Sequence, residues 1–255
     1  MLSISPIPAF NDNYIWLLQD AGRAVVVDPG DAGPVLAALR QQGLTLAGIM
    51  ITHHHFDHVG GIADLLAAAD VPVWGPRNPA IEAITHRLGA GDRVDILGRE
   101  FHVLEVPGHT LDHIAYFHDA EPPLLFCGDT LFAGGCGRLF EGSPEVMLDS
   151  LKSLAALPPA TRVYCAHEYT LANLAFARAA EPDNQALAER QRQAVALRDR
   201  DQPTVPSTLA EELETNPFLR CETAALRAAL RAQGRLEGDS GAAVFATVRA
   251  WKDNF

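Results

Sequence analysis
Between Met50 and Gly61 the chain reads MITHHHFDHVGG, which puts His53, His54, His55, Asp57 and His58 within six positions, after an apolar run and before two glycines. Residues two apart in an extended stretch point the same way, so His53 and His55 can grip one ion while His54 faces away. A turn at Phe56 swings Asp57 and His58 towards a second ion, and Gly60 and Gly61 permit the tight backbone that such a turn needs. Three more apolar runs end in residues of the same kind: LEVPG runs into His109, LLFCG into Asp129 and VYCA into His167. Strands of one sheet deliver side chains to a common edge, where sites gather. Five histidines and two aspartates at one edge make two adjacent metal sites. Imidazole and carboxylate without thiolate suit zinc, iron or manganese, and disfavour a closed structural zinc site.

Other polar residues near these runs carry weaker signals. His86, His102 and His118 lack a strand-end setting and read as surface or locally bonded residues. His113 follows His109 by four positions in GHTLDH and reads either as a support behind a ligand or as a structural residue. Asp28 ends VVVD; orienting a ligand from behind and opening a loop are both open to it. HEYT at His167 resembles the start of H-E-x-x-H, but the fifth residue is Leu171, so a zincin helix is excluded. No serine or cysteine nucleophile motif is present.

The elements that must position these residues follow from periodicity. YIWLL (14–18) and AVVV (24–27) read as strands joined by the turn QDAGR, and GPVLAALRQQG as a helix ending on Gly43. LAGIMIT is a short buried strand, GIADLLAAAD a short helix, and VPVW, FHVLEV, HIAYFH, PLLFC and RVYCA are further strands. SPEVMLDSLKSLAAL reads as a helix opened by Ser143 with Pro144 at its first position. From about Tyr169 the sequence becomes rich in Ala, Leu, Arg and Glu at helical period, broken at EPDN, DQPTVPST and TNPF. The expected organisation is a catalytic domain over 1–168 and an all-helical domain over 169–255.

Composition narrows the function. The 255 residues, 48% hydrophobic and 20% charged, are those of an ordinary globular protein. A net charge of −12 argues against a nucleic-acid surface. No stretch has the order of a signal peptide, and no apolar run reaches the roughly 18 residues of a membrane span. A cytoplasmic protein is expected, with no membrane and no nucleic-acid partner. Cys127, Cys136, Cys165 and Cys221 form no C-x-x-C pair and read as small core residues.

THHHFDH, GHTLDH, CGDTLF and CAHEYT together resemble the metallo-β-lactamase superfamily with its H-x-H-x-D-H signature. GCGRLFEG (135–142), HEYTLANLAFA and the terminal VRAWKDNF extend the likeness to its hydroxyacylglutathione hydrolase (glyoxalase II) family, over essentially the whole chain. The resemblance implies an α/β fold, the αββα metallo-β-lactamase sandwich, followed by a smaller all-helical C-terminal domain. It implies a monomer that hydrolyses S-D-lactoylglutathione to D-lactate and glutathione by a dinuclear metal-bridged hydroxide, the second step of methylglyoxal detoxification. His53, His55 and His109 would hold one divalent ion, and Asp57, His58 and His167 the other, with Asp129 bridging. Zinc is the first expectation, iron or manganese the alternatives. Asp57 and Asp129 are the candidate catalytic carboxylates. Arg138, Phe140, Tyr169, Arg249 and Lys252 would hold the glutathione part. Phe140 departs from the tyrosine common in the family and removes a hydroxyl contact. Taken alone, Lys252 also reads as a snorkelling lysine at a frayed end.

Within the superfamily, a β-lactamase is disfavoured by the lack of an export signal and a nuclease by the negative charge. A persulfide dioxygenase shares the first motif but uses one iron and lacks the helical tail, and a lactonase has no use for Arg249 and Lys252. A metal-storing or scaffolding protein is the non-enzyme alternative, with saturated coordination and no turnover.

Overall fold
The structure is a computed structural model that describes residues 2–236 and 238–255. The chain packs as two compact units, Met1–Glu105 with Asp112–Gly128, and Val106–Leu111 with Asp129–Phe255. This division follows packing and cuts at other places than the change of composition near Tyr169.

The first unit opens with strand β1 (Ser3–Ala9), which sequence reasoning did not find. Pro6 and Pro8 interrupt its pattern, and proline is tolerated in a sheet on an edge strand. β1 is such an edge, paired only with β2 (Asn13–Asp20), which continues through a tight turn into β3 (Arg23–Val27). Helix α1 (Ala32–Gln42) is capped by the Asp31 carboxylate and ends at Gly43 in the left-handed conformation, as the sequence pattern requires. It returns the chain to β4 (Thr45–Met50), parallel to β3. After α2 (Phe56–Val59) and α3 (Ile62–Ala68) come β5 (Val73–Pro76) and β6 (His86–Leu88), both parallel, which complete a six-stranded sheet in the order β1 to β6.

On one face of this sheet Ile15, Leu17, Val26 and Ile49 pack against Val35 and Leu39 of α1 and Ile62 and Leu65 of α3. The strands β7 (Arg93–Ile96), β8 (Arg99–Glu105), β9 (Ile114–His118) and β10 (Leu124–Gly128) form an antiparallel run in the same unit. The buried Tyr116 hydroxyl of β9 donates to the Ile51 carbonyl at 2.8 Å, which ties this run to the end of β4.

The second unit carries the hairpin β11 (Leu131–Phe132) and β12 (Gly135–Cys136), then α4 (Pro144–Ala155), whose Ser143 cap accepts from the Val146 N–H. Strand β13 (Arg162–Cys165) is followed by α5 (Thr170–Ala180) and α6 (Gln185–Arg198), and pairs antiparallel with the two-residue β14 (Ser207–Thr208). Helices α7 (Leu209–Thr215), α8 (Ala224–Ala232) and α9 (Gly241–Asp253) complete it. Among the described residues after 168, β14 is the only strand, in keeping with the expected helical character.

Candidate metal centre
Three strand ends come to one edge of the first sheet. Val27 of β3 and Met50 of β4 are register partners, and β2, antiparallel to β3, starts from that same side with Asn13. Just past β3, Asp28 is 4% exposed with φ of 53°, a left-handed conformation that is costly for a non-glycine residue. Its carboxylate explains that cost. Oδ1 accepts the Thr52 N–H at 2.8 Å and Oδ2 accepts the Thr52 hydroxyl at 2.7 Å. With its proton spent, the Thr52 oxygen accepts from His53 Nδ1 at 3.0 Å. The His53 proton is therefore on Nδ1, and Nε2 carries a lone pair. His58 Nδ1 lies 3.1 Å from Asp28 Oδ2 without hydrogen-bond geometry, and its Nε2 faces Asp57 Oδ2 at 3.5 Å. Asp28 thus orients His53 from behind, through Thr52, as a lone-pair donor from Nε2, and it stands beside His58.

The period-two reading of the histidine run holds. A ring nitrogen of His53 lies within 4.8 Å of one on His55 and of one on His58, whereas His54 turns to Asp112 at 2.9 Å. Asp112 also accepts from Asn78 at 2.7 Å. His113 is fully buried, donates from Nδ1 to the Ile114 carbonyl at 3.1 Å and stacks on His53 at 4.6 Å between centroids, so it braces that ring. Room for this stack depends on Gly128, where a Cβ would lie 2.3 Å from Thr52 Oγ1 and 2.8 Å from His113. His86, His102 and His118 sit beside Thr85, Glu100 and the Glu100 carbonyl respectively, as surface or locally bonded residues.

The second unit builds its own set around Asp129, which is 6% exposed. Its Oδ2 is 3.4 Å from His109 Nε2 and its Oδ1 is 3.3 Å from His167 Nε2. His109 Nδ1 donates to the Arg138 carbonyl at 2.9 Å, so the nitrogen facing the carboxylate is the lone-pair nitrogen. A lone pair aimed at a carboxylate oxygen is repulsive unless a cation lies between them. Gly137 permits this crowding, since a Cβ there would fall 2.1 Å from the Asp129 carbonyl.

The residues present fit metal ions. At metal–ligand lengths of about 2.1 Å, donors 3.3–3.5 Å apart subtend roughly 104–113°, close to tetrahedral. Each pair combines imidazole nitrogen with carboxylate oxygen, a borderline donor set.

The candidate glutathione residues lie in the second unit. Tyr169 stacks on His167 at 4.7 Å, and the exposed Phe140 meets His109 edge-on at 5.2 Å. Arg138 is exposed, with Nε 3.8 Å from Asp253. Arg249 is only 5% exposed: it donates to the Cys136 carbonyl at 3.0 Å and to Asp253 at 2.8 Å. Half-buried Lys252 has its pKa lowered by burial first, then by the charges of Arg249 and Arg138. Glu168 accepts from the Thr204 N–H and hydroxyl, which anchors the HEYT segment.

Sequence reasoning missed Asn13, Thr52, Asp253 and Glu212. Glu212 is fully buried and accepts from Arg190, from the Gly134 N–H at 2.9 Å and from Asn216, whose amide also donates to the Phe132 and Gly135 carbonyls. The four cysteines are buried free thiols, as expected. Burial pushes Cys136 up to about 11 and Cys165 up to about 12, so neither is a thiolate at neutral pH.

Residues 9–167 match a family model described as the metallo-beta-lactamase superfamily, and residues 168–255 match one described as the hydroxyacylglutathione hydrolase C-terminus. A curated hydroxyacylglutathione hydrolase of Pseudomonas aeruginosa (strain LESB58) is 55% identical, covering 100% of both chains. Among solved structures, ETHE1 from Myxococcus xanthus is 24% identical with a TM-score of 0.65, covering 99% of this chain and 98% of its own, a likeness of fold. TTHA1623 in a di-iron-bound form is 33% identical with a TM-score of 0.54, covering 65% of this chain and 91% of its own.

Proposed function
We infer that this chain, which belongs to the hydroxyacylglutathione hydrolase family of the metallo-β-lactamase superfamily, takes S-D-lactoylglutathione as its thioester and releases D-lactate and glutathione. It is a thioester hydrolase. His53, His55 and His109 would hold one divalent ion, Asp57, His58 and His167 the other, with Asp129 shared between them. Family membership supports this assignment across the chain, and the His53 and His109 tautomers and the donor spacings support it within each unit. The donor set suits zinc ahead of iron or manganese, and the di-iron form of a 33% identical protein supports a two-ion centre. When bound, such a pair supplies an acidified water and an electrophile for the thioester carbonyl.

The chain's own residues do the rest. Asp28 and Thr52 keep Nε2 of His53 unprotonated, so no proton has to leave that ligand first. Asp57 and Asp129 bring two negative charges to a site that would hold four positive ones. Burial keeps Cys136 and Cys165 as thiols at neutral pH, and Glu168 is held by Thr204. Arg138, Tyr169 and Lys252 hold the peptide and its carboxylates. Arg249 adds charge while Asp253 fixes it in place, and Phe140 gives an apolar face beside His109. Residues 1–168 carry the chemistry together with Arg138 and Phe140, and 169–255 add the glutathione contacts of Tyr169, Arg249 and Lys252. The protein acts as a monomer in the cytoplasm, where glutathione is held reduced; no described helix is long and apolar enough to cross a membrane.

The observation that carries this reading is the Asp129 carboxylate flanked by the Nε2 atoms of His109 and His167, in a chain so similar to a curated hydrolase. Asp129→Ala tests it. Elemental analysis should show loss of metal from both sites, and the fall in thioester absorbance should nearly stop. Two retained ions with normal turnover would refute the assignment.

A further inference from the structure
We propose that Asn13 is a positioning residue for Asp57, and through it for the ion that Asp57 and His58 hold; this rests on the metal reading above. The buried Asn13 amide donates from Nδ2 to Asp57 Oδ2 at 2.9 Å. Its backbone is held firmly. Asn13 opens β2 opposite Ala9, Tyr14 and Ile15 continue the pairing with β1, and from Trp16 onward β2 pairs with both β1 and β3. By the two-residue period its side chain leaves on the same face as Ile15 and Leu17, which pack into the core under α1 and α3.

Asp57 stands on a much shorter element. It lies in the four-residue α2, between His58 and a Phe56 ring that is 73% exposed. A carboxylate there turns about its last torsion at little cost, because that well is broad. The Asn13 amide limits that turning. It takes one lone pair of Oδ2 and leaves another facing His58 Nε2 at 3.5 Å. A neutral amide suits this position, because lysine or arginine here would neutralise the carboxylate and compete with the ion. Asn13 is thus to Asp57 what Asp28, through Thr52, is to His53, and these supports start from one edge of the first sheet.

The test compares wild type, Asn13→Ala, Asn13→Asp and the turn variant Asn11→Ala, each stripped of metal and titrated with zinc or cobalt(II) against a competing chelator. Orienting groups behind a ligand are worth about 10- to 100-fold in metal affinity. Asn13→Ala should lose that much at one ion and keep the other near its wild-type affinity, with only one set of cobalt d–d bands altered. Asn11→Ala should match wild type. Thermal unfolding of the metal-free proteins checks that Asn13→Ala still folds. If it does not, Asn13→Asp carries the test: it keeps the shape, replaces the donor by an acceptor and should weaken the same ion at least as much. Two ions bound within about threefold of wild type, or equal losses at both ions, would overturn the inference. A wild-type chain that binds no ion would sink the metal reading and this inference together.

Discussion

Replacing Asp28 by asparagine changes one oxygen to an NH2 group inside a nearly sealed space and should disable the ligand His53. The amide oxygen still accepts the Thr52 N–H, now made by Oδ1 at 2.8 Å. At the Oδ2 position a donor then meets the Thr52 hydroxyl, now at 2.7 Å. The hydroxyl turns to accept from the amide, and its own proton points at His53 Nδ1. His53 must then carry its proton on Nε2, the nitrogen that faces the ion. One hydrogen bond to a charged group is lost, which contributes about 1.5–3 kcal/mol, roughly one to two orders of magnitude in an equilibrium constant. The metal-free protein avoids most of this cost by accepting the new tautomer, whereas binding an ion forces it back. The loss should therefore fall on metal affinity, about 10- to 100-fold for the ion that His53 holds, with a much smaller change in the melting temperature of the metal-free protein. Competition against a chelator and calorimetric melting measure the two parts. Unchanged affinity at that ion, in a variant that folds, would refute the tautomer argument.

The buried Glu212–Arg190 pair makes a stability prediction. Glu212→Ala takes the nearest carboxylate from a guanidinium that is 6% exposed and an acceptor from the Gly134 N–H, and should cost about 3–5 kcal/mol, lowering Tm by about 6–20 °C; Glu212→Leu with Arg190→Met should recover the ion-pair part but not the acceptor of the Gly134 N–H. A single-variant Tm within about 2 °C of wild type would show that the pair carries little. For Lys252 the lowered pKa means the folded chain gives up this proton below the ordinary lysine range. The fold therefore gains stability, and the proposed carboxylate contact weakens, as pH rises through that window. KM for the glutathione thioester should climb there with kcat nearly level, and Lys252→Arg should abolish the climb. Lys252→Ala should raise KM about tenfold at neutral pH; an equal loss with a small thioester lacking the peptide would refute a glutathione contact.

What was legible in the sequence was what repeats or clusters. The alternation at His53, His54 and His55 is a local geometric fact, and so is the capping of α4 by Ser143. Strand ends bearing His109, Asp129 and His167 stand out because an apolar run makes the polar residue after it conspicuous. The supports behind the ligands have no such contrast. Thr52 is an ordinary residue until its hydroxyl is seen between Asp28 and His53, and Asn13 lies 44 positions from the carboxylate it holds. Glu212 and Arg190 sit in helical, charged sequence where solvent exposure is the default expectation, and only the fold reveals that both are buried. β1 was hidden by its prolines, whose tolerance depends on the strand's place at an edge.

The β11–β12 hairpin has a divided allegiance. By descent it belongs with residues 9–167, yet it packs with the chain that follows Asp129. Its Gly134 N–H and its Phe132 and Gly135 carbonyls are satisfied by Glu212 and Asn216, far down the helical part. The two ancestral segments are therefore not exchangeable modules. A lineage that discarded the tail would have to refill these three backbone valences at the same moment, and a grafted tail would have to offer a carboxylate and an amide at the same two places. Recombination at the 167/168 junction is thus constrained by a hairpin that lies some thirty residues before it.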